Sequence, residues 1–202
     1  MKTISESFRF IINKQIEIGY YMPKILREPA NSIDIEKTEN ELEVKFNEEL
    51  LELYSLADGI NLDIKAITGL IDLIPNYYFL SLNNAKQFYK SHIEFQDLFL
   101  NQTTNIKPDV KLFPFLEDGS GNCYWVDLNI ESDNYKRIYW TNTYGEEPDY
   151  LFESLTIMFQ VISECYEKGI IKLNSEGYLE KDYDMFASIA SIYNPKIKYW
   201  VR

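Results

Sequence analysis

The chain has 202 residues, 46% of them hydrophobic and 15% aromatic, enough for one domain with a large core. Its 20 Lys+Arg against 32 Asp+Glu leave a net charge of −12, which repels the phosphate backbone and, with no local basic patch, argues against direct nucleic-acid binding. No apolar run approaches bilayer length, no secretory leader is expected, and two cysteines are far from a disulfide framework, so a cytoplasmic protein with no membrane association is expected.

Residues 4–25 place Ile4, Phe8, Ile11, Ile12, Ile16 and Tyr20 on one helical stripe, loosened at its end by Gly19 and Pro23. Thr38-Glu39-Asn40-Glu41 reads as a capping box opening a helix that carries Leu42 and Phe46. Asn47 then caps a second helix with Leu50, Leu51, Leu53, Tyr54 and Ala57, and Gly59 is a left-handed stop. Residues 60–74 suggest short strands ending at Pro75, and Tyr78-Phe79-Leu80 is strand-prone. Asn83 or Asn84 opens a helix to about residue 100, with Ala85, Phe88, Tyr89 and Ile93 inward. Residues 110–116 form a strand in which Pro114 requires an edge or a bulge. After the tight turn Asp118-Gly119-Ser120-Gly121 the chain returns as a strand over 123–128, and 137–143 adds another. Residues 149–168 carry the strongest helical pattern, from Leu151 and Phe152 through Leu155, Met158, Phe159 and Ile162 to Tyr166, closed by Gly169. A last helix spans 183–193 before Pro195, and 196–201 reads as a final strand. Strands clustered between helices, without βαβ alternation, predict an α+β fold with a central, mainly antiparallel sheet packed against helices.

Groups for chemistry are sparse. His92 is the sole histidine, which removes histidine-pair metal sites, and its helical position favours a structural role. Cys123 and Cys165 read as small core hydrophobes. No phosphate-cradling glycine loop or nucleophile elbow is present. Glu117, Asp118 and Asp127 form the one conceivable carboxylate cluster for a hydrolase or a cation, but turn and strand-end roles account for them more simply. No enzymatic activity, metal or cofactor is expected.

What remains is acid and tyrosine. Residues 34–58 hold nine acids against Lys37 and Lys45, and residues 144–153 hold Glu146, Glu147, Asp149 and Glu153 with no base. Helix N-termini explain some of these, since the macrodipole favours negative charge there. Glu39, Glu43, Glu48 and Glu52 from the first stretch, with Tyr144, Glu146, Glu147 and Asp149 from the second, are candidate contacts for a basic protein partner.

The order of these segments resembles a known family. Glu-rich helices end in Leu56-Ala57-Asp58-Gly59-Ile60; Tyr78-Phe79-Leu80-Ser81-Leu82-Asn83-Asn84-Ala85 leads strand into helix. Leu112-Phe113-Pro114-Phe115 and Asp118-Gly119-Ser120-Gly121-Asn122-Cys123-Tyr124-Trp125-Val126-Asp127 form the hairpin, and Leu151-Phe152-Glu153-Ser154-Leu155 opens the long helix. Over residues 33–168 this series resembles the SUKH superfamily, the Smi/Knr-like group. It departs from the family's Asn-Gly-Gly-like helix end at Asp58-Gly59-Ile60, and residues 1–32 and 169–202 look like helical extensions of a single SUKH-like domain. The resemblance implies an α+β fold and a cytoplasmic bacterial immunity protein that neutralises a cognate protein toxin, such as a basic nuclease. The alternative it implies is an intracellular scaffold or regulator of cell-wall assembly. Asp58, Gly59, Gly119, Gly121 and Asp127, which match the family pattern, read as turn and cap residues.

Overall fold

Short, nearly continuous apolar strands build the centre of the molecule. The computed structural model describes residues 2–63, 70–99, 111–142 and 149–200, with backbone alone over 93–99. Five strands, β1 (Tyr78–Phe79), β2 (Leu112–Glu117), β3 (Cys123–Asp127), β4 (Ile138–Thr141) and β5 (Asp149–Phe152), form one antiparallel sheet in chain order. Along β3, Tyr124 and Val126 join the main core, while the alternate residues Cys123 and Trp125 join a smaller cluster on the other face. The register slips between Pro114 and Leu116, so β2 carries the irregularity that a proline inside a paired strand demands.

The described residues also form six α-helices: α1 (Ile4–Glu17), α2 (Ser32–Leu42), α3 (Glu48–Tyr54), α4 (Leu82–Phe99), α5 (Leu155–Glu167) and α6 (Tyr183–Tyr193). The α4 ring of Phe88 packs against Trp125 on the small-cluster face. Phe8 of α1 and Phe159 of α5 pack together on the other face, where Phe8 also meets Phe79. A two-stranded ribbon, β6 (Ile171–Leu173) with β7 (Leu179–Lys181), follows α5. Core residues run from Ile4 to Ala190 in one cluster, so both terminal segments contribute to the same interior as the sheet.

Several expectations require correction. The first helix stops at Glu17; Gln15 takes the inward position and donates to Leu73 O and Tyr166 Oη, while Ile16 is 59% exposed. Thr38 does not cap a helix. Asn31 caps α2, and Thr38 is buried within it, its hydroxyl donating to Asp34 O. Helix α2 instead ends at Glu43 in left-handed conformation. Asn47 does cap α3, but that helix ends at Tyr54, well before Gly59. Gly59 has φ +67, and a Cβ there would lie 2.2 Å from Ser81 N and 2.4 Å from Leu80 C. Backbone against backbone is what requires glycine here.

In the described part of 60–74, only isolated bridges at Ile60 and Ile74 appear. Residues 149–152 are strand rather than helix: they pair with β4, and Ser154 caps α5 two residues later through Ile157 N. Residues 198–200 form a 3-10 turn, not a strand. The β6–β7 ribbon was not anticipated. Val110, Leu100 and Thr143 lie outside the described residues, as does the side chain of Ile93.

Candidate partner-binding surface

The acid-rich segment folds into α2 and α3, and most of its carboxylates turn inward to backbone donors or lysines. Glu49 accepts from Leu155 N (2.9 Å) and Thr156 Oγ1 (2.7 Å), at the first turn of α5. Glu52, three residues on, accepts from Ser5 N (2.9 Å) and Ser5 Oγ (2.6 Å), at the first turn of α1. One short helix therefore caps two others, placing negative charge where unsatisfied N–H groups and the macrodipole welcome it. Glu39 accepts from Phe46 N and Lys45 Nζ, both at 2.8 Å, and so closes the α2–α3 connection. Glu41 faces Lys90 (3.2 Å) and Lys86 (3.3 Å) on α4, whose hydrogen bonds hold its carboxyl below the usual range. Asp58 accepts from Leu82 N (2.8 Å) at the start of α4 and pairs with Arg27 Nε (3.4 Å); burial nevertheless pushes its carboxyl up.

Asp34 accepts from Asn31 Nδ2 (2.7 Å), and Glu36, Glu43 and Glu48 remain. All three are exposed, and among the described residues none has a hydrogen-bond or ion-pair partner. Glu36 on α2 and Glu43 at its end lie beside exposed apolar groups, while Glu48 opens α3. One hollow is lined by Ile33, Glu36, Lys37, Asn40 and Glu41. A second takes in Asn40, Glu43, Lys111, Ile130 and Tyr135, so Asn40 borders both. Ile33 and Ile130 are each 74% exposed. Acid around protruding isoleucines gives a surface that can combine steering with apolar burial. Of the sequence candidates, Glu43 lines the second hollow and Glu48 is exposed at the start of α3, both without internal ties among the described residues, whereas Glu39 and Glu52 are engaged within the fold. Asp149 opens β5 and accepts from Tyr150 N. Tyr144, Glu146 and Glu147 lie outside the described residues. Glu36 was covered only as one of the acids of residues 34–58, and Ile33 and Ile130 were not among the candidates; an isoleucine amid charges in a helix's first turn was the available signal for Ile33.

The tyrosine pairs divide by burial. Tyr20 and Tyr77 belong to the core, whereas Tyr21, Tyr78, Tyr139 and Trp140 are half-buried.

The carboxylates considered for chemistry do not converge. Glu117 pairs with Cys123 at one end of the β2–β3 hairpin and Asp127 with Leu112 at the other, roughly 15 Å apart along the strand. Glu117 accepts from Gly119 N, and Asp118 from Ser120 N and Asn122 N, so both organise the turn. Asp127 is fully buried and accepts from Asn129 N, Ser132 Oγ and Tyr150 Oη. Burial pushes the Glu117 carboxyl up. His92 stacks on Phe88 at 4.6 Å and stands edge-on to Trp125 at 5.3 Å, and burial pushes its imidazole toward the neutral form. Among the described residues, no group of three or more His, Cys, Asp or Glu side chains could hold a metal ion. No helix of the described residues is long and apolar enough to cross a membrane.

A search of curated proteins finds no match. Residues 29–160, from the α2 approach through the sheet into α5, match the SMI1 / KNR4 family (SUKH-1). That span is well over half the sequence, and it contains the Asp58-Gly59 joint, the β2–β3 hairpin and the acid-rich α2–α3 pair. The chain belongs to the SMI1 / KNR4 family (SUKH-1).

Proposed function

We propose that this chain is a non-enzymatic protein-binding domain, an immunity protein that neutralises a cognate bacterial toxin in the cytoplasm by covering its working surface with an acidic face. Membership of a family that spans immunity proteins and cell-wall regulators supports the general reading. The observation that carries the specific one is that Glu36, beside exposed Ile33, and Glu43, beside exposed Ile130, have no hydrogen-bond or ion-pair partner among the described residues, with Glu48 likewise exposed and unpaired at the start of α3. Carboxylates held at a surface without partners raise the rate and selectivity of association with a basic protein. A contact of standard size, about 1,600 Å² in total, would extend past the two hollows to neighbouring surface. Tyr144, Glu146, Glu147 and Asp149 are the proposed second contact group.

The test requires a neighbouring gene that encodes a large protein with a toxic C-terminal domain, and uses that domain. The triple substitution Glu36→Gln, Glu43→Gln, Glu48→Gln is expected to slow association with that domain by about tenfold or more at low salt, and to flatten the salt dependence. A companion variant, Glu146→Gln, Glu147→Gln, Asp149→Asn, assays the second group. If both variants protect cells and associate as fast as the parent, the acidic-face reading is wrong.

The family also includes regulators of cell-wall assembly, and that is the alternative function. It requires a growth or cell-wall defect on deletion in cells that carry no toxin, which the immunity reading does not.

A further inference from the structure

On the main-core side of the sheet, a groove of about 850 Å³ opens between the 70–78 segment, the turn after β2, and the C-terminal α6 region. Its volume falls within the range of binding sites. Its walls are aromatic and fixed by one another. Trp140 Nε1 donates to Tyr77 Oη at 2.8 Å, Tyr77 stands edge-on to Tyr124 at 4.7 Å, and Tyr199 packs edge-on to Trp200 at 4.8 Å. A groove whose walls hold each other needs little reorganisation when it is filled.

Three charged side chains line this groove; Asp118 is held by the backbone of its own turn, while Asp72 and Lys181, of opposite sign, each lack a countercharge among the described residues. Asp72 is 7% exposed; Oδ2 accepts from Asn76 N at 3.1 Å, and no ion pair to it occurs among the described residues. Lys181 is half-buried, its ammonium over the rings of Phe186 (4.6 Å) and Tyr183 (5.1 Å), with no carboxylate partner among the described residues. Both groups respond to that setting. Burial pushes the Asp72 carboxyl up to about 6 and the Lys181 ammonium down to about 8. A buried charge without compensation costs stability, so it persists most readily where a ligand supplies the missing partner.

We propose that the groove seats an extended segment of a protein partner, with a basic side chain directed at Asp72 and an acidic side chain directed at Lys181. The aromatic walls cover the aliphatic stems between those two charges, as amphipathic side chains favour. Charge complementarity selects this occupant. A polyanion meets Asp72 and Asp118 at the same mouth, and a purely apolar chain would leave both charges desolvated and unanswered. This site is separate in its residues from the α2 surface and does not depend on the partner being a toxin.

The probe is a displayed library of short random peptides, selected on the full chain and measured by calorimetry. Selected peptides are expected to carry one basic and one acidic residue at a constant separation. Asp72→Asn and Lys181→Met should each weaken them by about tenfold or more, while leaving thermal stability equal to or above the parent's. That stability readout separates loss of a contact from loss of the fold. Recovery of no peptide, of peptides lacking the charge pair, or of peptides that bind both variants as tightly as the parent, overturns the proposal.

Discussion

Asp72 shows what a single desolvated side chain does to the whole molecule's response to acid. Its carboxyl titrates near 6 in the folded chain against 3.8 for the ordinary group, because burial penalises the anion. The folded state therefore binds more protons than the unfolded one between about pH 4 and 6. The Asp72 contribution is most favourable below that window and is lost as pH rises through it. Asp72→Asn, which retains an acceptor for Asn76 N, should stabilise the protein by about 1–3 kcal/mol at pH 8 and by nothing near pH 3. Denaturant midpoints of parent and variant at the two pH values check this; an equal offset at both would show that the residue stays uncharged or solvated. Neither Asp72 nor Lys181 was conspicuous in the sequence. Their significance lies in burial without an ion-pair partner among the described residues, a property of three-dimensional neighbours. Gly59 was half legible: a positive φ was foreseen, but the need for it comes from the Leu80–Ser81 backbone, not from a helix end.

Among the elements, α3 is the one whose chemistry most changes the reading of composition. Its acids look like surface charge in one dimension, yet Glu49 and Glu52 terminate α5 and α1. Glu49→Ala and Glu52→Ala should each lower stability by about 1–2 kcal/mol, the usual scale of a lost N-terminal cap. Exposed Glu48→Ala should change it by less than about 0.5 kcal/mol. Urea unfolding of the three variants checks the ranking; equal effects would mean that these carboxylates act only as bulk charge. The sheet was largely legible, because β2 and β3 are short apolar, aromatic-rich runs and Asp118-Gly119 marks their turn. The start of α5 was misread because Leu151, Phe152 and Leu155 satisfy a helical spacing, while pairing with β4 and the Ser154 cap decide the outcome. The β6–β7 ribbon carries a sequence signal in Asn174 and Gly177 between two short apolar-flanked runs, with Asn174 Oδ1 accepting from Glu176 N and Tyr178 N. The α2–α3 surface was legible only as charge. Which acids stay free depends on where helix N-termini and lysines arrive from distant parts of the chain.

At the scale of the whole molecule, the span that identifies the family and the span that forms the core differ. Residues 29–160 carry the match, yet Ile4, Phe8 and Ile11 before it, and Ile162, Phe186 and Ile189 after it, lie in the main core. Removing buried side chains costs about 2–5 kcal/mol each, and domains have only about 5–15 kcal/mol in reserve. A fragment of residues 29–160 is therefore expected to lose cooperative thermal unfolding and near-ultraviolet circular dichroism, both of which the full chain should keep. A sharp transition in the fragment would show that the matched span is self-sufficient. The two thiols add a practical corollary. Cys123 and Cys165 are fully enclosed, with burial lifting the Cys165 thiol to about 12 and Cys123 also well above its normal value. Neither supplies appreciable thiolate at neutral pH, so alkylating reagents should ignore the closed molecule and mark it only when it opens. A single cysteine introduced on α2 would then be the lone reactive handle, ready to carry a crosslinker or fluorophore to whatever settles there.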